Sequence, residues 1–125
     1  MARPVLEAVH PVLPSRDVRR SIRYYVERPG FRLAFADCDA SPSYAGVVRD
    51  GLELHLQWHD PKEWRAVERP SLRIRVANID SLFGEYKGQA VFDSATALRD
   101  TPWGTREFAF FDPDQNGLTF YRDLA

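Results

Sequence analysis

The feature that most constrains this chain is a pattern of strands and helices that runs twice. Leu6 to Leu13 is an apolar-rich stretch suited to a strand, and Asp17 follows where a helix N-cap belongs. A short acidic side chain there can accept from an otherwise orphaned amide of the first turn. Val18, Ile22, Tyr25 and Val26 then recur at helical spacing, and Pro29-Gly30 stops the helix. Three more strands are predicted, at Phe31 to Ala36, Tyr44 to Arg49 and Leu52 to Trp58. Asp50-Gly51 joins the last two, a dipeptide that suits a tight hairpin. The first half is therefore βαβββ.

From His59 to Pro70 the chain carries two prolines and six charged residues without a strand or helix period, as a connection between halves does. The cycle then restarts. Leu72 to Val76 alternates as a strand, Asp80 is placed to cap a short helix holding Leu82, Phe83 and Tyr86, and Gly88 sits where that helix should end. A short strand is expected near Ala95 to Leu98, followed by Thr105 to Phe111 and Leu118 to Arg122, with Asp112-Pro113-Asp114-Gln115-Asn116-Gly117 as the turn between the last two. The expected class is α+β, one domain of two βαβββ modules, residues 1–60 and 71–125, joined by residues 61–70. Each module offers a sheet with an open face, so a cleft between sheets follows.

Composition narrows the partners. Seventeen basic residues against eighteen acidic give a net charge of -1, with no basic run, so neither nucleic acid nor an anionic membrane is expected to bind. No apolar run approaches the length of a membrane span, and the opening residues carry no apolar signal region, which predicts a cytoplasmic chain. Cys38 is the single cysteine, which excludes an intrachain disulfide and a multi-cysteine zinc site. Sixteen aromatic residues are enough to fill a core and leave rings for a pocket.

Pro11-Val12-Leu13, Arg16-Asp17-Val18, Ala45-Gly46-Val47-Val48-Arg49-Asp50, Pro102-Trp103-Gly104, Arg106-Glu107-Phe108 and Asp112-Pro113 together resemble the bleomycin-resistance branch of the glyoxalase/bleomycin-resistance/dioxygenase (vicinal oxygen chelate) superfamily. The resemblance covers nearly the whole chain. It implies paired βαβββ modules and a homodimer whose subunits can exchange the N-terminal strand. It also implies ligand clefts at the subunit interface and, in the drug-binding members, sequestration of the ligand without altering it. The chain departs from the family pattern in a shortened stretch between Lys87 and Asp100.

The superfamily's enzymes bind a divalent ion through four side chains on inward strand faces, and the resemblance aligns His10 and Glu53 with the first-half positions. The second-half positions hold Ser71 and Thr119, neither of them a good ligand for such an ion. With two of four ligands left, no resident metal or other cofactor is expected. Binding rather than catalysis is the preferred reading, and a metal-dependent glyoxalase-like lyase or dioxygenase using His10 and Glu53 is the alternative. His55 shares a strand face with Glu53 by the two-residue period and could extend that pair.

For the ligand site, the resemblance points to Tyr44 and Trp103 as stacking residues; Phe35, unless Phe31 is the exposed member of that pair, and His55 are further ligand-binding candidates. Arg73 and Arg75 alternate with Leu72, Ile74 and Val76, giving the fifth strand a cationic face. That face could set the charge preference of a ligand or pair with acids such as Glu53 or Glu107. The expected partner is a small aromatic molecule, with bleomycin-type antibiotics as candidates.

Overall fold

A computed structural model describes residues 2–125. The first sheet is built from β1 (Val12–Ser15), β2 (Arg32–Ala36), β3 (Tyr44–Arg49) and β4 (Leu52–Trp58), in the order β1-β4-β3-β2, with α1 (Val18–Glu27) between β1 and β2. After α2 (Pro61–Trp64), the second sheet follows the same plan. Its strands are β5 (Ser71–Arg75), β6 (Arg99–Asp100), β7 (Thr105–Phe111) and β8 (Gly117–Asp123), ordered β5-β8-β7-β6, with α3 (Ile79–Lys87) after β5. In each sheet the first strand runs parallel to the last and every other pair is antiparallel. Among the described residues no helix is long and apolar enough to cross a membrane.

Local chemistry explains most boundaries. Asp17 caps α1 by accepting from the Arg20 amide. Asp50 and Gly51 both take positive φ, at 50° and 79°, the backbone of a tight hairpin whose twist matches its strands. Four expectations need correction. The stretch from Leu6 is not a strand until Val12, where the parallel pairing of β1 with β4 begins beside His55. Among the described residues the earlier ones are in no strand, and Val5, Leu6 and Val9 stand exposed. The connection contains a helix after all: Asp60 and Glu63 form a reciprocal capping box with Pro61 in the first turn, and this closes α2 without any apolar period. Helix α3 is entered from Asn78, in left-handed conformation, while Asp80 lies inside the first turn and binds Arg106. Strand β6 falls at Arg99–Asp100 rather than Ala95 to Leu98, where Asp100 accepts from the Arg106 guanidinium across the β6–β7 pair.

Alternation puts Leu13, Ala45, Val47, Leu54 and Leu56 of the first sheet, and Phe108, Phe110, Leu118 and Phe120 of the second, into one core with Val18, Tyr25, Ile79 and Tyr86 from the helices. The modules are joined by polar atoms as well. Asp114, buried in the β7–β8 turn, accepts from Arg16, Arg20 and Ser21 at the start of α1. Asp112 takes the hydroxyl of Tyr25 at 2.8 Å together with the amides of Asp114 and Asn116. Asn116 donates to the carbonyl of Pro14. Burial pushes the Asp112 carboxyl up, against the pull of these donors, and raises the Tyr25 hydroxyl well above the usual phenol.

Candidate functional site

Each sheet turns its apolar side chains to the core, so the alternate residues form an open face. On the first sheet that face carries Glu53 and His55 from β4, Tyr44 and Gly46 from β3, and Phe35 from β2. The Tyr44 hydroxyl lies 2.7 Å from His55 Nδ1, and His55 Nε2 lies 2.7 Å from Glu53 Oε2. An ionised carboxylate can only accept, so in the neutral ring Nε2 carries the proton and Nδ1 accepts from Tyr44. This hydrogen bond holds the Glu53 carboxyl below the usual carboxylate range. His10, delivered just ahead of β1, stacks on His55 with ring centres 4.7 Å apart and sets its Nε2 3.8 Å from Glu53.

Phe35 closes this group, edge-on to His55 at 5.3 Å and stacked near Tyr44 at 6.2 Å. Its ring lies over Gly46, where an added Cβ would come within 2.3 Å of it. Glycine therefore seats the aromatic surface here through close approach of ring to backbone. Phe31 is the core member of the phenylalanine pair at 5% exposure, while Phe35 is 42% exposed.

The open face of the second sheet is organised round Glu107 of β7, which accepts from Arg73 at 2.8 Å, from the Thr105 hydroxyl at 2.6 Å and from the Trp103 indole at 3.2 Å. Arg73 and then its other donors pull the Glu107 carboxyl down to about 2. The Arg73 guanidinium also lies 4.3 Å from the centre of the Tyr121 ring. Trp103, 68% exposed, is hydrogen-bonded through its indole N–H, and among the described residues no other ring or cation stacks on its face. Ser71 and Thr119 line a cavity of about 230 Å³ beside Glu107. Arg75 falls elsewhere, along a cavity of about 500 Å³ with Arg49, Phe31, Leu52 and Tyr86.

The structure thus brings Phe35, Tyr44 and His55 together with Glu53 and His10, and brings Trp103 together with Arg73. Among the described residues no hydrogen bond or ring contact joins the two groups. Sequence reasoning offered Glu107 only as a pairing acid and missed its position as the hub of the second face. The clue was Thr105 and Glu107 at strand spacing after an exposed tryptophan. It also took Asp112 to Asn116 for a plain turn, because nothing local shows that those carboxylates are buried.

Paired βαβββ modules with an open, ring-bearing face on each sheet define a class, and the sequence agrees: the chain belongs to the Glyoxalase/Bleomycin resistance protein/Dioxygenase superfamily, which it matches over residues 8–120. Within it, the chain is 27% identical to a bleomycin resistance protein of Geobacillus stearothermophilus, over 91% of this chain and 95% of that one. The bleomycin-binding protein of bleomycin-producing Streptomyces verticillus, solved with copper(II)-bleomycin, superposes with a TM-score of 0.75 at 27% identity, covering 94% of this chain and 97% of that one. The bleomycin resistance determinant encoded on transposon Tn5 superposes at 0.77 and 23% identity over 96% of this chain and all of that one, a likeness of fold.

Proposed function

We propose that this chain is a non-catalytic binder of an aromatic small molecule of the bleomycin type, acting in the cytoplasm, with a second copy completing its cleft. The observation that carries this reading is an open face lined by the rings of Phe35, Tyr44 and His55, in a chain 27% identical to a protein solved with copper(II)-bleomycin. A ligand ring stacking on such a surface gains about 0.5–1.5 kcal/mol beyond the area it buries. The open indole of Trp103 on the second sheet supplies a further stacking surface, and a two-subunit cleft would set it opposite the first face of a partner. The unpartnered segment bearing Val5, Leu6 and Val9 supports exchange of N-terminal strands, since such apolar residues gain by being covered. Arg73 is already engaged by Glu107, which favours a ligand chosen by stacking over one chosen by charge.

The test is a thermal-shift and calorimetric screen of the full chain with metal-free bleomycin, copper-bleomycin and a panel of aromatic acids. A ligand at one hundred times its dissociation constant should add about 2.7 kcal/mol of stability. Trp103→Ala should weaken binding by about 1 kcal/mol without unfolding the chain. Absence of any shift across the panel would overturn the reading, and a monomeric mass at micromolar concentration would remove the dimer from it.

A further inference from the structure

The two sides of the module junction are built alike and filled differently. Tyr25 stands eight residues beyond the Asp17 cap of α1, and Tyr86 stands eight beyond Asn78, from which α3 is entered, so the two helices match place for place. On one side the turn between β7 and β8, five residues from Asp112 to Asn116, reaches over α1 and sets carboxylates against it. Asp114 accepts from Arg16, Arg20 and Ser21, and Asp112 accepts from Tyr25. The matching residues of the second module are Ala77, Ser81, Leu82 and Tyr86. On that side the turn between β3 and β4 has two residues, Asp50 and Gly51, and all four matching residues line a cavity of about 500 Å³ instead. That volume falls within the roughly 300–1,000 Å³ of small-molecule sites.

We infer that this cavity binds a small carboxylate with an aliphatic body, which takes the place that Asp114 fills on the other side of the junction. Its floor is apolar: Phe31, Tyr86 and Phe120 are at most 5% exposed, and Ile74, Val76 and Leu82 pack against the same core. Where Arg16 and Ser21 offer polar groups to Asp114, Ala77 and Leu82 offer methyl groups, so an apolar body is accommodated here. Phe120 is already stacked with Phe108 and Phe110 and much of the remaining wall is aliphatic, which favours a flexible chain over a flat ring. The charge preference comes from the rim. Arg49 is set against Glu85 at 2.8 Å and Asp50 at 3.6 Å, which occupies it. Arg75 also lines the cavity and, among the described residues, has no ion pair or side-chain hydrogen bond, unlike Arg73 two residues earlier. A guanidinium in that state can take a carboxylate through two parallel hydrogen bonds. Asn78, whose side chain makes no capping bond, and Ser81 add hydrogen-bonding groups to the lining.

The inference does not rest on antibiotic binding, and its probe is octanoate with the full chain. Calorimetric titration should show one saturable site per chain, with affinity rising about fourfold for each methylene added from butanoate to octanoate. Octylammonium, of similar length and opposite charge, should bind about tenfold more weakly or worse, and Arg75→Gln should weaken octanoate by about tenfold or more. Ser81→Trp, at an exposed position of the wall, should fill the cavity and exclude octanoate while the melting temperature stays close to the parent's. Ser81→Phe replaces it should the tryptophan variant melt early. Amide chemical shifts should move at Leu52, Ala77, Asn78 and Ser81 and stay in place at Tyr44 and Trp103, which separates this site from the ring-bearing faces. No saturable binding, octylammonium as tight as octanoate, or undiminished affinity in Arg75→Gln or in the filled-cavity variant would overturn the inference. So would shifts at Tyr44 and Trp103 in place of the cavity residues.

Discussion

Glu53 on the first open face and Glu107 on the second are both strand carboxylates turned away from the core, yet they are satisfied differently. Glu53 is partly exposed and faces imidazoles, whose protons can leave or change place. Glu107 is 7% exposed and faces a guanidinium, which keeps its charge, with a hydroxyl and an indole N–H donating to the same carboxylate oxygen. The second face has spent its polar groups on itself and contributes rigidity and one open indole. The first keeps polar groups that a guest can recruit, beside two partly exposed rings.

Glu107→Ala should give the largest effect that separates the faces. It removes the buried carboxylate that Arg73, Thr105 and Trp103 share, and a loss of about 2 kcal/mol is expected in urea denaturation. Glu53→Ala should leave the denaturation midpoint near the parent's, and equal losses in the two variants would break the comparison. The acid limb sharpens it further. Because the Glu107 carboxyl is held down at about 2 against an ordinary 4.5, its contribution to stability is fully present above the ordinary value and is lost as pH falls toward about 2. Glu107→Gln should flatten that limb of a stability-against-pH curve. A limb as steep as the parent's would mean that other carboxylates carry it.

Gly46→Ala comes next. The new methyl should push the Phe35 ring off its seat and weaken ligand binding by about 1 kcal/mol, while the partly exposed ring gives way without cost to the core. Unchanged affinity would show that the ligand does not use Phe35. The smallest effect is expected for Arg75→Ala, whose side chain lies along a different cavity from either open face. Less than a twofold change in affinity for the cleft's charged and neutral ligands alike should follow, and a larger one would restore Arg75 to the cleft.

What could be read from the sequence follows from range. The hairpin at Asp50-Gly51, the cap at Asp17 and the strands through Tyr44, Leu52 and Thr105 are set by neighbours a few residues away, and the structure places them as expected. The candidate strand from Leu6 has the right composition, but among the described residues pairing begins only at Val12, which the register of β1 on β4 reveals. Tyr44, Phe35 and His55 were legible as site candidates through family resemblance and strand period. That His10 meets Glu53 and His55 was implied by the resemblance alone, since it depends on a parallel pairing between residues more than forty positions apart. Arg73 and Arg75 looked alike in the pattern, but Glu107 and Tyr121 claim one of them and not the other.

The contacts of Asp112, Asp114 and Asn116 with α1 and β1 tie residues separated by up to 102 positions, and they bear on how the chain reaches its fold. Closing so long a loop costs entropy that short-range contacts never meet, so these ties are expected to form late in folding. Interactions made late contribute little to the barrier that must be climbed and much to the one that must be climbed back. The junction of the modules is therefore expected to act as a latch, its loss speeding unfolding more than it slows folding.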